Sequence, residues 1–154
     1  IRSALVGIDG EMRALGLRPG GEPWTIAVET PDPSRRAPHS VLALQDAAVA
    51  TSGDYRHWVE VHGRRLSHTM DPCHGAPLRD APASVTVVAR SCAEADAWAT
   101  ALMVLGPEDG ARLAERHGLD ALFLLRDGTG GFRIATAGRL FAKQRAAGAS
   151  RRRA

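Results

Sequence analysis

The chain has 154 residues and a mass of 16.4 kDa, with 44% hydrophobic and 24% charged residues. These values are typical of one globular domain that buries about two-thirds of its surface. They exclude a collagen, a wholly disordered chain and a small disulfide-stapled protein, and no apolar run reaches the ~20 residues of a membrane span. The two cysteines, Cys73 and Cys92, provide no disulfide framework.

Charge is distributed unevenly along the chain. The formal net charge is +3, yet residues 139–154 hold six of the 20 basic side chains and no acidic one. The preceding 138 residues carry 14 basic and 17 acidic side chains, which argues against a nucleic-acid-binding surface. We therefore expect a domain over residues 1–138 and a basic tail over residues 139–154 that begins as a short helix and frays.

The first residues suggest an origin within a longer polypeptide. The sequence starts at Ile1 and enters the apolar run Ala4–Val6 almost at once, which is unusual for a natural start. We expect the C-terminal piece of a longer protein, or a chain cut inside a domain.

Short strands dominate the first ninety residues. Apolar runs bounded by Gly, Pro and Asp predict strands over Ala4–Ile8, Trp24–Glu29, Ser40–Leu44, Ala47–Thr51 and, most clearly, Ser84–Ala89. Two further runs, Tyr55–Val61 and Arg64–Thr69, flank His62-Gly63 and predict a hairpin with a two-residue turn. The segment Met70–Pro82 is dense in Pro, Gly and Asp and predicts a loop.

Two adjacent helices follow. Ser91 and Glu94 match a capping box, which predicts a helix that runs to Leu105 and stops before Gly106. A second helix is predicted from Pro107 to the residue before Gly118. Small or apolar residues fill much of the first helix, so we expect broad burial at Ala93, Ala97, Ala101, Leu102, Val104 and Leu105.

The last predicted elements are strands over Ala121–Leu125 and Phe132–Thr136. Many strands interrupted by two adjacent helices predict an α+β domain built on a mostly antiparallel sheet. Trp24, Trp58 and Trp98 are expected in its core rather than as ligand platforms.

Asp96 and Thr100 lie four residues apart and therefore on one face of the first helix. Since an unpaired buried carboxylate is costly, Asp96 must be exposed, paired with a base, protonated or bound to a cation. Carboxylate and hydroxyl oxygens suit hard cations such as Mg²⁺. The alternative is a solvated face on which Asp96 only supports the helix N-terminus.

Titratable side chains are concentrated in the loop after the predicted hairpin. His68 ends a strand, where a neutral imidazole can act as a general base near pH 7. Asp71 could equally form a plain turn with its own backbone. A zinc site of His68, Asp71, Cys73 and His74 is a weaker alternative, because its spacing matches no closed structural site. The segment Thr51–Asp54 could hold a phosphate or a flavin edge, or form an ordinary tight turn.

Several of these patches occur in an order typical of one family. The segments AVATSGDYRHW (48–58), SHTMDPCHGAP (67–77) and SVTVVARSCAEADAWATALMVLGPEDG (84–110) resemble the motifs of the ApbE family, the FAD:protein FMN transferases. The opening ALVGIDGEMRALG resembles that family's glycine-rich segment before an acidic residue. The resemblance extends over residues 3–136.

The resemblance implies an ApbE-like (T-fold-like) partial domain. It also implies a Mg²⁺-dependent reaction in which the FMN part of FAD moves to a Thr or Ser hydroxyl of a target protein, releasing AMP. On the matching positions, Asp96 and Thr100 would bind Mg²⁺, His68 would be the catalytic base or position the pyrophosphate, and Met70 would contact FAD. Members are often exported lipoproteins, which implies a periplasmic or membrane-anchored location, with a cytoplasmic one left open.

The sequence also departs from the family pattern. Asp9 stands where glycine is usual, Ala99 stands where some members have a further acid, and the loop reads DPCHG rather than DPxTG. Family members are also much longer, so we expect a missing N-terminal half, or a second chain, to complete the site. A non-catalytic FAD-binding protein and a truncated structural remnant of the same fold are the alternatives.

Overall fold

In the computed structural model, which describes residues 1–56, 58–79 and 81–142, the chain folds around an antiparallel sheet. The strands are β1 (Ala4–Ile8), β2 (Glu11–Leu15), β3 (Trp24–Glu29), β4 (Pro38–Leu44), β5 (Ala48–Gly53), β6 (Trp58–Val61), β7 (Arg64–Ser67), β8 (Met70–Asp71), β9 (Ala76–Pro77), β10 (Ser84–Ala89), β11 (Asp120–Arg126) and β12 (Phe132–Ala137). The main sheet has six strands in the order β1-β2-β5-β10-β11-β12.

A long helix, α1 (Cys92–Arg116), packs on one face of this sheet against β5 and β10. Its N-cap is Ser91, whose side-chain oxygen accepts a hydrogen bond from the Glu94 backbone N–H at 3.2 Å. The helix breaks at Gly106, where φ is 77° and ψ is 179°, and resumes at Pro107. The two predicted helices are therefore two segments of α1.

Alternation along the central strands separates two cores. On β11, Ala121 and Phe123 face the helix, whereas Leu122 and Leu124 face the β3–β4 hairpin on the other side of the sheet. The helix-side core also contains Val85, Val87, Leu102 and Met103, all nearly inaccessible to solvent. The prediction of an α+β fold with a mostly antiparallel sheet is confirmed.

The last described residues remain attached to the body. Asp120 Oδ1 accepts hydrogen bonds from the backbone N–H groups of Arg139 at 2.7 Å and Leu140 at 2.8 Å. Phe141 is 0% exposed and packs in the core beneath the β3–β4 hairpin. The rest of the predicted basic tail, residues 143–154, lies outside the described residues.

The outer side of the first helical segment differs from the sequence prediction. Ala93, Ala97 and Ala101 are exposed, and Leu105 is 45% exposed. The sheet contacts the opposite side of the helix, where Ala99 and other small residues are buried. The predicted burial is therefore wrong for Ala93, Ala97, Ala101 and Leu105, whereas Leu102 is buried as predicted.

Two further predictions need correction. Trp58 lies on the small β6–β7 hairpin and is 43% exposed, so it does not belong to the core. The segment Thr51–Gly53 is not a turn, because it continues β5 and pairs with β10 up to Gly53 opposite Ser84. Within the described ranges, no helix combines the length and apolar character needed to cross a bilayer.

Candidate functional site

The two predicted metal ligands project from the first segment of α1, next to the sheet. Asp96 and Thr100 are both exposed and lie one helical turn apart. Thr100 Oγ1 lies 2.8 Å from Ser52 Oγ, and either hydroxyl can be the donor. This hydrogen bond ties the helix to the end of β5, within the segment that resembles the family's TSGDY motif.

A long segment between β5 and β10, residues 54–83, leaves the main sheet beside that hydrogen bond and is called the excursion below. Gly53 and Ser84 pair at the end of the β5–β10 ladder, so residues 54–83 start and finish at one place. The Asp54 N–H donates to the Ala83 carbonyl at 3.2 Å. A Cβ on Gly53 would come within 2.7 Å of the Tyr55 ring and 3.1 Å of the Ala83 oxygen, so the glycine is required for this close approach.

Ion pairs hold the start of the excursion from two sides. Arg126, at the end of β11, donates to both Asp54 oxygens at 3.1 and 2.5 Å. On the other side, Glu29 Oε2 accepts from Arg56 at 2.5 Å and from the buried Tyr55 hydroxyl at 3.1 Å. A bidentate guanidinium–carboxylate contact fixes orientation as well as distance.

These contacts change the pKa values of the groups involved. Burial raises the pKa of Glu29, but hydrogen bonds from Arg56 and Tyr55 and the charge of Arg56 outweigh it, so the Glu29 pKa is lowered overall. Burial is the main cause of the raised pKa of the Tyr55 hydroxyl. Glu29 is therefore ionised at neutral pH and holds the Tyr55-Arg56 pair.

His68 is exposed and lies one residue beyond β7, inside the excursion. The buried Ser67 hydroxyl accepts a hydrogen bond from the Thr69 N–H at 3.1 Å, and the Thr69 carbonyl accepts one from Leu78 at 3.0 Å. These contacts fix the backbone on both sides of the imidazole. Met70, the predicted FAD contact, is half exposed on β8, where it pairs with Pro77.

The side chain of Asp71 forms hydrogen bonds within the turn that follows β8. Its Oδ1 accepts from the Cys73 N–H at 2.8 Å, and its Oδ2 lies 2.6 Å from His74 Nδ1. The His74 hydrogen bond, followed by that from Cys73, lowers the pKa of Asp71. Within residues 1–56, 58–79 and 81–142, no group of three or more His, Cys, Asp or Glu side chains could hold a metal ion, so the zinc hypothesis is wrong.

The chemistry of Asp96 and Thr100 nevertheless fits Mg²⁺ as a partial site. One carboxylate and one hydroxyl provide two hard oxygen donors on an exposed face, and Mg²⁺ at phosphate sites usually takes one or two protein oxygens, with water and substrate phosphates as the rest. Ala99, the position of a further acid in some members, is buried against the sheet, so an acid there would face the core.

A groove of about 290 Å³ adjoins Asp96. It lies between the first turn of α1 and the β1–β2 hairpin, and its lining includes Val6, Ile8, Glu11, Arg13, Cys92 and Ala93. The β1–β2 turn contains Asp9, at φ 50°, and Gly10, at φ 114°. Because aspartate tolerates a left-handed conformation in such turns, this departure from the family pattern is accommodated on the surface.

Sequence reasoning missed several residues that shape this region. The sequence places Ser52 only in a candidate turn, and no local signal singles out Glu29 or Arg126. Their partners lie 48, 27 and 72 residues away along the chain. No local pattern indicates such pairings, although Ser52 belongs to a segment with a recognisable family motif.

Comparisons with known proteins identify the family. The ApbE family model matches residues 1–123. The FAD:protein FMN transferase of Vibrio cholerae is 42% identical over 130 residues, which is 84% of this chain and 39% of that protein. The FAD:protein FMN transferase of Escherichia coli K12 is 39% identical over 124 residues, covering 80% of this chain and 35% of the relative.

Solved structures give the same result. The apo form of the flavinyl transferase ApbE from Pseudomonas stutzeri superposes with a TM-score of 0.75 at 46% identity, covering 92% of this chain and 43% of that one. The ApbE protein of Thermotoga maritima superposes with a TM-score of 0.74 at 33% identity, covering 88% and 42%. The chain thus spans less than half the length of these relatives. The resemblance inferred from the motifs is confirmed, and the chain belongs to the ApbE family.

Proposed function

We propose that this chain forms the helix-and-sheet part of an enzyme that transfers the FMN moiety of FAD to a Thr or Ser hydroxyl of a target protein. The names of relatives at 35–42% identity support flavin transfer to protein. The finer points, which are Mg²⁺ dependence, the hydroxyl acceptor and AMP release, come from the family resemblance.

The observation that carries the proposal is the hydrogen bond between Ser52 and Thr100. It brings the TSGDY-like strand and the Asp96–Thr100 pair together at 2.8 Å. The excursion that bears His68 starts two residues after Ser52. Two motifs separated in sequence therefore meet at one end of the sheet, where the segment that bears His68 also leaves it, and this arrangement supports the proposal of a functional site there.

The proposed step is a substitution at phosphorus. The acceptor oxygen forms a bond to the phosphorus of the FMN half, and the bond from that phosphorus to the bridging oxygen breaks, so that AMP leaves with the electron pair. A ring nitrogen of His68 takes the proton of the attacking hydroxyl. The products are a phosphoester-linked flavin and AMP, and no oxidant or reductant is consumed.

Each candidate residue has a limited task in this scheme. Asp96 and Thr100 would hold Mg²⁺, which neutralises charge on the diphosphate when bound. Met70, half exposed on its short strand, would contact FAD. The paired Asp54 and Tyr55-Arg56 segment would hold the start of the excursion and so limit where His68 can lie.

The test is covalent labelling of an acceptor protein. Because the chain spans 39% of its Vibrio cholerae relative, the reaction is run with the chain alone and with the chain combined with the unmatched part of a relative. FAD, Mg²⁺ and a target bearing the acceptor threonine are supplied, and in-gel flavin fluorescence reports transfer. Fluorescent target with equimolar AMP is expected from the combined protein.

Variants then separate the roles. Asp96→Ala should abolish transfer while leaving folding nearly intact, whereas the matched Asp109→Ala, on the second segment of α1 and paired there with Arg112, should not change it. His68→Ala should slow transfer more than it weakens FAD binding. Normal transfer by Asp96→Ala would contradict the metal assignment, and the reverse pattern for His68→Ala would make His68 a binding residue only.

Two outcomes would favour the alternatives. Tight FAD binding by the combined protein with an unlabelled target would indicate a non-catalytic flavin-binding protein. No flavin retention, even with the unmatched part of a relative present, would indicate a structural remnant.

A further inference from the structure

The Thr100 hydroxyl has a hydrogen-bond partner in the sheet. Its Oγ1 lies 2.8 Å from Ser52 Oγ, and either oxygen can be the donor. A threonine hydroxyl has one proton and two lone pairs. An oxygen that binds a cation offers it a lone pair, so its proton has to point away from the cation and toward another acceptor. Ser52 Oγ lies at the right distance to be that acceptor.

The sheet fixes the position of Ser52. Its backbone pairs with Val85 in the β5–β10 ladder, and Val85 is 0% exposed in the core beneath the helix. Residues opposite each other in an antiparallel pair direct their side chains to the same face, so the Ser52 hydroxyl points toward α1. The next residue, Gly53, is confined between the Tyr55 ring and the Ala83 carbonyl. Ser52 therefore presents its hydroxyl to the helix from a rigid support.

The orientation of the Thr100 hydroxyl is not fixed by the helix itself. In a helix a threonine side chain divides between two rotamers, because its hydroxyl can turn back to a carbonyl one turn earlier. For Thr100 those carbonyls belong to Asp96 and Ala97. Thr100 is also exposed, whereas its neighbour Ala99 is buried, so packing holds the helix backbone but restrains the Thr100 side chain little. The hydrogen bond to Ser52 selects one orientation.

We infer that Ser52 is a positioning residue for the cation site and acts through Thr100. Ser52 Oγ accepts the Thr100 proton, which leaves a lone pair of Thr100 Oγ1 for the cation that Asp96 also binds. Ser52 itself does not contact the cation in this arrangement. Residues that orient a metal ligand in this way typically change metal affinity by about 10–100-fold. The inference rests on the proposed function, because it presupposes that Asp96 and Thr100 bind Mg²⁺.

The test compares two hydroxyl pairs on the same strand. Thr51 Oγ1 lies 2.8 Å from Thr86 Oγ1, an equal contact that faces away from the helix, so Thr51→Val is the matched control for Ser52→Ala. The chain is combined with the unmatched part of a relative and loaded with FAD without a target, and its thermal midpoint is followed as Mg²⁺ is added. Ser52→Ala should need about tenfold more Mg²⁺ or more for half of the rise in midpoint. Thr51→Val, and Ser52→Thr, which retains the hydroxyl, should match the wild type.

Two further measurements separate positioning from a merely structural role. Without Mg²⁺, the thermal midpoint of Ser52→Ala should change little, because Ser52 is only partly buried and the exposed Thr100 hydroxyl can bond to water. Thr100→Val and the double variant Ser52→Ala/Thr100→Val should require the same Mg²⁺ concentration, because a residue that acts only through Thr100 has no further effect once that hydroxyl is gone. The Mg²⁺ concentration for half-maximal flavin transfer should shift by the same factor as that for the thermal midpoint.

Three results would overturn the inference. If the wild type responds to Mg²⁺ and the Ser52→Ala curve superimposes on it, Ser52 does not position the ligand, and the proposed function is unaffected. If the double variant needs more Mg²⁺ than Thr100→Val alone, Ser52 acts independently of Thr100. If the wild type transfers flavin without any response to Mg²⁺, the cation assignment fails and the inference fails with it. Failure of the inference alone is therefore distinguishable from failure of the proposed function.

Discussion

The two segments of α1, on either side of Gly106, present opposite kinds of surface. Both have an inner side that packs on the sheet, with Leu102 in the first segment and Ala114 in the second. Their outer sides differ. The first carries exposed alanines and the Asp96–Thr100 pair, whereas the second carries acidic and basic side chains, including the Asp109–Arg112 ion pair at 2.7 Å.

This difference distinguishes the inner side of α1, which stabilises the fold, from the outer side, which is available for function. The inner sides are equivalent because both bury small and apolar residues against the same sheet. The outer sides do not pack on the sheet, so packing within this chain does not explain why their compositions differ. The second segment presents charged side chains to solvent, whereas the first presents small apolar side chains beside the Asp96 carboxylate and the Thr100 hydroxyl, the pair proposed above to hold a cation.

The largest effect should come from the inner side of the first segment. Leu102 is fully buried between the helix and the sheet, so Leu102→Ala should lower the free energy of unfolding by about 2–5 kcal/mol through lost burial and a cavity. Urea unfolding followed by circular dichroism measures the change. Leu105→Ala, on the outer side of the same segment, should cost about 0.5 kcal/mol or less in the chain alone. Equal losses would mean that the two sides do not differ as described.

The break between the segments should give the next largest effect. Gly106 has φ 77° and ψ 179°, a combination essentially restricted to glycine, and no atom near its Cβ position would clash. Gly106→Ala should therefore cost about 1–3 kcal/mol from backbone strain alone. The same unfolding assay applies. Gly118→Asn, at φ 65°, is the control, because asparagine tolerates that left-handed position after a helix. No loss for Gly106→Ala would contradict the backbone strain assigned to this position.

The start of the first segment should give the smallest of these effects. Ser91→Ala removes the acceptor of the Glu94 N–H and should cost about 1 kcal/mol, whereas Ser91→Asp should retain the cap. Hydrogen exchange of the peptide 92–105 should increase while that of 107–116 stays unchanged, because Pro107 starts its own segment. Equal increases in both peptides would indicate a single cooperative helix.

The elements that the sequence predicts correctly are those whose signal lies within a few neighbouring residues. The Ser91–Glu94 cap, the Gly106-Pro107 break and the β-branched run Ser84–Ala89 each carry their signal within a few residues, and each forms as predicted. The missed strand β2 has no such signal, because it is defined by pairing with β1 and with Val49 and Ala48 of β5.

The candidate site was only partly predictable for the same reason. Asp96 and Thr100 share a helix face by spacing alone, and family motifs point to them and to His68. The Ser52 hydroxyl reaches Thr100 only through the fold. Ala93, Ala97 and Ala101 are exposed although small apolar side chains predict burial, because composition alone does not show which side of a helix faces the sheet.

The most direct test of the central claim is the dependence of flavin transfer on Mg²⁺ concentration in two matched variants. Both use the chain combined with the unmatched part of a relative, and both replace one exposed helical aspartate with asparagine, Asp96→Asn on the first segment and Asp109→Asn on the second. We expect Asp96→Asn to require about tenfold more Mg²⁺ or more for half-maximal labelling, since it removes a charged oxygen ligand, and Asp109→Asn to match the wild type. Superimposable Mg²⁺ curves for all three proteins would contradict the assignment of the cation to the first segment.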